Sequence, residues 1–250
     1  MDFKSFIRTV AMISRPRWIF VVCFVASLVF IAVMLNRFGA REIREDGSEL
    51  SFLLLIGAGW LLLASFLVSW FGFNIRDDAI ERNNPAALIA SCCALGAVAL
   101  IYAGGSAGEG PSYANNFFSA GLGTAGLFLL WSLFEYIEKI SVSIAEERDV
   151  ASGARFGGFI LATGLILGRA VAGDWHSEEQ TFKDFLHGGW PAALLWGIGL
   201  IVEWLARPSS RRPFPRFFSC GLLPAGIYLA LASAWVWYAG PWEGWGHGRA

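Results

Sequence analysis

The sequence predicts an all-α polytopic transmembrane bundle of about seven spans, one leading helix followed by three repeated helical hairpins. Three observations carry that prediction. Seven long apolar stretches fill the 250 residues, of which 56% are hydrophobic and only 16% charged; soluble domains average nearer a quarter charged. The connectors between the stretches alternate between arginine-rich and arginine-poor. Of the twelve tryptophans, Trp18, Trp70, Trp131, Trp175, Trp190, Trp204 and Trp242 fall near span ends, where an aromatic ring meets both hydrocarbon and water.

The spans read as residues 18–35, 51–71, 85–103, 118–140, 153–172, 190–205 and 217–238. Each approaches the ~20 residues a helix needs to cross ~30 Å of hydrocarbon. Lys4, Arg8, Arg15 and Arg17 precede the first. That run is long for a signal-peptide core and no small-x-small cleavage site closes it, so it reads as an uncleaved transmembrane helix. Residues 1–14, with Phe3, Phe6, Ile7 and Val10 on one face, read as a short interfacial helix. A second interfacial helix is expected to start at Ser177, ahead of the sixth span.

Lysine and arginine set orientation. Four fall before the first span. Arg76 and Arg82 share a connector, Lys139, Arg148 and Arg155 another, and Arg207, Arg211, Arg212 and Arg216 a third. These thirteen face the cytoplasm in this reading, against five on the other side: Arg37, Arg41, Arg44, Lys183 and Arg249. The expectation is a multi-pass protein of the bacterial inner membrane, N-terminus cytoplasmic and C-terminus outside. Its net charge of −1 supplies no attraction for nucleic acid.

Two junctions read alike. Glu81-Arg82-Asn83-Asn84-Pro85-Ala86-Ala87 matches Glu147-Arg148-Asp149-Val150-Ala151-Ser152-Gly153 in that register, and each opens a span rich in small residues. Phe134-Glu135-Tyr136 and Val202-Glu203-Trp204 echo each other one span earlier. These likenesses divide the chain into a leader (1–50), a first hairpin (51–117), a second (118–189) and a divergent third with an outer tail (190–250), as in transporters built of parallel repeats. Asp77, Asp78, Asn83, Asn84 and Asp149 are placed to cap the helices that follow.

Gly153, Gly157, Gly164, Gly168 and Ala172 step along one face of the fifth span, and Ala86, Ala90, Ala94 and Ala97 along the third. Such stripes let backbones approach where lipid provides no hydrophobic drive. They serve packing within one subunit, a homo-oligomer seam or a sliding contact.

The junction Arg148-Asp149-Val150-Ala151-Ser152-Gly153-Ala154 and the helix holding Gly157-Gly158, Ala162-Thr163-Gly164 and Ala172-Gly173-Asp174 resemble the YjfL-like family of bacterial membrane proteins, domain of unknown function 350. The resemblance spans residues 51–207 and includes Arg82, Asn83 and Asn84, with Asp149 where the family pattern carries Asn. It implies repeated helix pairs in a membrane and carries no catalytic residue with it.

Ionisable groups within spans are costly, so each is a functional candidate. Glu135, Glu138, Arg169 and Glu203 are those candidates. Glu135 and Glu203, on equivalent helices, are expected either at the inner interface or lining an inner vestibule for cations; Arg169 is placed to snorkel outward. Asp174, His176, Asp184 and His187 on one outer loop form a weak divalent-cation pattern. Residues 104–110 form a flexible Gly-rich outer loop lacking the lysine of a phosphate-binding loop. Cys23, Cys92, Cys93 and Cys220 act as small apolar groups, with no disulfide or metal spacing. With no activated nucleophile, metal motif or cofactor motif, an enzyme is not expected. The leading expectation is a small-solute or ion permeation module. The alternative is a membrane scaffold or sensor that docks a cytoplasmic protein through its inner loops.

Overall fold

Hydrocarbon offers the backbone no hydrogen-bond partner, so each apolar stretch satisfies its own N–H and C=O groups by coiling. A computed structural model describes the backbone of residues 3–208 and 216–240, and the side chains of that range from residue 15 onward. Its α-helices are α1 (Phe3–Phe38), α2 (Arg41–Glu45), α3 (Gly47–Val68), α4 (Pro85–Gly105), α5 (Tyr113–Glu138), α6 (Val150–Ala170), α7 (Glu178–Ala206) and α8 (Leu223–Ala239). Three wider π-helical turns join them: π1 (Ile75–Glu81), π2 (Val142–Glu146) and π3 (Phe217–Leu222). Among the described residues, seven helices are long and apolar enough to cross a membrane: Arg15–Phe38 within α1, then α3, α4, α5, α6 and α7, and the continuous π3–α8 segment Phe217–Ala239. No strand occurs among the described residues.

Two expected interfacial helices are instead parts of longer ones. Residues 3–14 continue into the first span as α1, with Pro16 inside it, and Glu178 begins α7, with Pro191 inside. A proline removes one N–H and crowds one carbonyl; here each helix carries on past it.

Helix starts follow local chemistry. Asp46 caps α3, its Oδ1 accepting from the Ser48 amide and hydroxyl, both at 2.8 Å; those two bonds hold its carboxyl below the usual range. Asn84 caps α4 by accepting from the amides of Ala86 and Ala87, with Pro85 in the first turn, where its missing N–H costs nothing. Asp149 caps α6 through the amides of Ala151 and Ser152. Before each of these two caps stands a left-handed residue, Asn83 (φ 49°) and Arg148 (φ 55°). The preceding hydrogen bonds also match: Arg82 N to Asp77 O and Asn84 N to Asp78 O in one junction, Glu147 N to Val142 O and Asp149 N to Ser143 O in the other. Asn84 therefore corresponds to Asp149 and Asn83 to Arg148. This corrects the sequence register, which paired the two arginines, by one residue. Asn84 is fully buried and also donates from Nδ2 to the Ile144 carbonyl at 2.7 Å. Asp149→Ala should cost about 1 kcal/mol of unfolding free energy, the usual worth of a cap. Asn84→Ala should cost about 2 kcal/mol, because a buried carbonyl also loses its donor. Melting of both variants in one detergent checks that order.

α6 lies at the centre. In its most apolar stretch 83% of residues are buried, against 67% in α4 and 17% in α1 and in α7. The glycine stripe explains the burial. A Cβ on Gly153 would stand 2.6 Å from Ala86 Cα, on Gly164 2.6 Å from Ala97 Cα and on Gly168 2.6 Å from Leu100 O; on Gly157 it would meet Cys93 Sγ at 2.9 Å. The stripe is thus seated on α4 of the same chain. The other side of α6 meets α8, where Gly158 leaves room for Ala225. Val25 and Val29 of α1, Leu55 and Leu62 of α3, Leu129 of α5 and Ile201 of α7 point outward, as a lipid-facing surface requires.

The two ends of the bundle differ. One, here the basic end, carries π1, π2, π3 and the junctions. At the other end the Gly-rich segment is laced rather than loose. Gly108 N donates to Phe38 O, Gly173 N to Ala107 O and Trp175 N to Glu109 O. Asp174 accepts from the Glu109 amide at 2.8 Å, and Glu109 from the Arg41 amide at 3.0 Å. Gly108, at φ +104°, sits where a side chain would strike Gly173.

Candidate functional site

The groove shared by α6, α7 and α8 holds a buried charge pair at the basic end and an open cavity at the other. Arg155, in the second turn of α6, is 1% exposed, and Glu203, near the end of α7, 2%. The guanidinium grips the carboxylate with two parallel bonds from one edge, Nε to Oε2 at 2.7 Å and Nη2 to Oε1 at 2.6 Å. Nη2 also donates to Ser152 Oγ at 3.0 Å, and Nη1 to the carbonyl of Cys220 in π3. Taking each ion out of water costs several kcal/mol. The offset here is a bidentate pair, a geometry specific to arginine, together with two further acceptors.

Above the pair an aromatic layer fills the groove. Phe159 of α6 meets Tyr228 of α8 edge-on at 6.1 Å and Phe134 of α5 at 5.0 Å. Nearer the far end, Trp235 Nε1 donates to Gly188 O at 3.1 Å and its ring packs on Trp190. Beyond lies a cavity of about 1030 Å³, bounded by Arg169 and Asp174 at the end of α6, His176, Gln180, Asp184 and His187 towards α7, and Trp235 and Tyr238 on α8. Arg169 turns its Nε and Nη2 to the carbonyl of Gly240, at 3.2 and 2.9 Å, closing the end of α8. Asp184 accepts from Gln180 and Asp174 from the Glu109 amide.

The carboxylates expected from sequence take separate partners. Glu203 is closed into the ion pair. Glu135 accepts from the Ser141 amide at 3.0 Å and from Ser141 Oγ at 2.5 Å, satisfying the turn after left-handed Lys139. Glu138 faces Arg207 at 3.5 Å. An inner vestibule lined by Glu135 and Glu203 is therefore replaced by a sealed pair and a turn cap. Among the junction residues, Asn84 and Asp149 cap as expected, whereas Asp77 lies inside π1 and Asp78 accepts from Asn74 N and pairs with Arg82. Ala172 lies past the end of α6 and borders the cavity. Asp174, His176, Asp184 and His187 border it too, yet among the described residues no three metal-ligating side chains converge.

Arg155 escaped the sequence reading, which counted it with the basic connector. Its depth was legible as a charge three residues after Ser152 in a run of small residues, at the level of Glu203 counted from the same end. Trp131 Nε1 and Thr163 Oγ1 are also buried without a partner among the described residues. Trp131 sits amid Phe71, Phe73, Phe128 and Phe156, a wall of rings with no acceptor to offer.

Seven apolar helices around a small-residue centre, with a charge pair shut inside, define a multi-pass α-helical membrane protein. The chain belongs to the family described as Domain of Unknown Function (DUF350), whose sequence model matches residues 43–171. No curated protein and no solved structure matches the chain. The family match ends at the close of α6, so it contains Arg155, whereas Glu203 and Cys220 lie beyond it. The ion pair fastens α7 and π3 to the family-matched part.

Proposed function

We propose that the chain is a small-solute permeation module of a bacterial cytoplasmic membrane, its path following the groove between α6, α7 and α8. One observation carries this reading: the same three helices border an open polar cavity at one end and are shut at the other by the Arg155–Glu203 pair. An alternating-access path has this form in one of its states, open to one side and closed to the other. With the arginine-rich connectors cytoplasmic, the cavity faces outward. Arg155 does not contribute to that charge bias, because it is buried within α6; Lys139 and Arg148 remain in its connector. Two carboxylates, Asp174 and Asp184, outnumber the one guanidinium there, Arg169, and with the rings of Trp235 and Tyr238 they suit small cations, since aromatic faces attract positive charge.

Reconstituted liposomes holding the full chain should show saturable flux of alkali cations or polyamines that empty liposomes lack. His187→Trp, filling the exposed cavity, and Asp184→Asn should lower it at least several-fold, and Glu135→Gln should leave it unchanged. Flux indifferent to His187→Trp and Asp184→Asn would remove the groove from the path. For orientation, cysteines introduced by Ser112→Cys and Ser177→Cys should react with impermeant thiol reagent in intact cells, and Ser143→Cys only after lysis.

The second reading, a scaffold, draws on the exposed charges of Arg76, Glu81 and Arg82 at the basic end. Absence of flux, together with one soluble protein cross-linked from residues 77–84 and 141–152, would establish it in place of permeation.

A further inference from the structure

Between the start of the first span and the junction ahead of α4 lies a crevice of about 250 Å³, bordered by Arg15, Pro16 and Ile19 of α1 and by Asn83, Pro85 and Leu88. Most of its lining is apolar, with Pro16, Ile19, Ala79, Pro85 and Leu88 forming the walls. The Asn84 side chain, which also borders it, spends Oδ1 on the amides of Ala86 and Ala87 and Nδ2 on Ile144 O. With Asn84 engaged, the apolar walls offer water few partners, so the interior suits hydrocarbon. The rim is cationic. Arg15 is exposed and forms no ion pair among the described residues. Arg148 is tied to Asn83, which borders the crevice, its Nη2 donating to the carbonyls of Arg82 and Asn83 at 2.9 and 2.8 Å. Two acids of the same junction are already engaged, Asp78 by Arg82 and Glu81 by Arg76.

We propose that this crevice is a binding site for an anionic phospholipid, with one acyl chain between Ile19 and Leu88 and the headgroup phosphate between Arg15 and Arg148. Hydrocarbon walls below two guanidinium groups match such a lipid in both parts. A zwitterionic lipid brings its own cation to a rim that already carries two. The site also gives the Arg82-Asn83-Asn84-Pro85 junction a role beyond capping: left-handed Asn83 presents the carbonyl that seats Arg148.

The test is lipid retention by the full chain in detergent, read by native mass spectrometry. One phosphatidylglycerol should survive washing that removes phosphatidylcholine. Arg15→Gln should weaken retention about fivefold, near the ~1 kcal/mol that one basic group contributes at an anionic surface. Ile19→Trp, filling the crevice from an exposed position, should weaken it comparably. Arg17→Gln, an exposed arginine of the same helix that does not border the crevice, should leave it within twofold, and inorganic phosphate should not compete. Equal retention of phosphatidylcholine, equal losses in Arg15→Gln and Arg17→Gln, or displacement by inorganic phosphate would each overturn the site.

Discussion

Glu203→Ala is expected to destabilise the fold by about 3–5 kcal/mol, the cost of stranding one partner of a buried ion pair. Arg155 would keep its charge at 1% exposure, with only the Cys220 carbonyl and the Ser152 hydroxyl to face it. Arg155→Met should cost a similar amount for the mirrored reason, leaving a buried carboxylate. Arg155→Lys should recover only part, since an ammonium cannot reproduce the bidentate grip. The informative variant is the double substitution Arg155→Met with Glu203→Leu. Removing both charges together spares both desolvation costs, so its stability should lie close to that of the parent chain. Unfolding in mixed micelles followed by tryptophan fluorescence gives all four values, and Glu203→Leu alone, measured beside them, closes the cycle that yields a coupling energy. Single substitutions that cost under about 1 kcal/mol would mean that water reaches the pair. A stable double variant that has lost flux would separate the pair's role in transport from any role in folding.

The second large effect is expected at the α4–α6 contact. Gly164→Leu places a side chain where Ala97 Cα already stands 2.6 Å from the would-be Cβ. Backbone cannot retreat as a flexible side chain can, so α4 and α6 must separate. Overpacking of this kind usually costs about 1–3 kcal/mol and sometimes more; the upper end is expected because the neighbouring Gly153 and Gly168 contacts open with it. Gly197 of α7 and Gly226 of α8 provide the contrast, since a Cβ on either meets nothing within 4 Å. Gly197→Ala and Gly226→Ala should be neutral or stabilising by up to about 1 kcal/mol, the ordinary helix preference for alanine over glycine. The same unfolding assay ranks the three. If Gly164→Leu matched Gly197→Ala, the close crossing of α4 and α6 would be refuted.

What was legible in the sequence was whatever depends on neighbours along the chain. Span number and rough position follow from apolar length, because a helix in hydrocarbon closes its own hydrogen bonds. The caps Asn84 and Asp149 follow from a side-chain oxygen two or three residues ahead of the amides it satisfies. The glycine face of α6 follows from helical spacing alone. Even here the register of the two junctions slipped by one residue, since both contain an arginine beside an Asn or Asp. Only the left-handed backbone at Asn83 and Arg148 shows which positions correspond.

What only the tertiary structure decided was the partner of each group. Glu135 and Glu203 look alike in sequence, yet one caps a turn six residues on and the other meets a guanidinium 48 residues away. The Gly104–Gly110 segment reads as loose, yet its carbonyls accept from Gly173 and Trp175 and its amides donate to Phe38 and Asp174. The glycine stripe announced a close contact without naming its occupant, and the fold seats α4 there. The physical reason is common to these cases. Hydrophobic length and capping are local quantities summed over a few residues. Pairing a buried charge, or choosing which backbone fills a groove left by missing side chains, depends on which distant residue arrives there first in space.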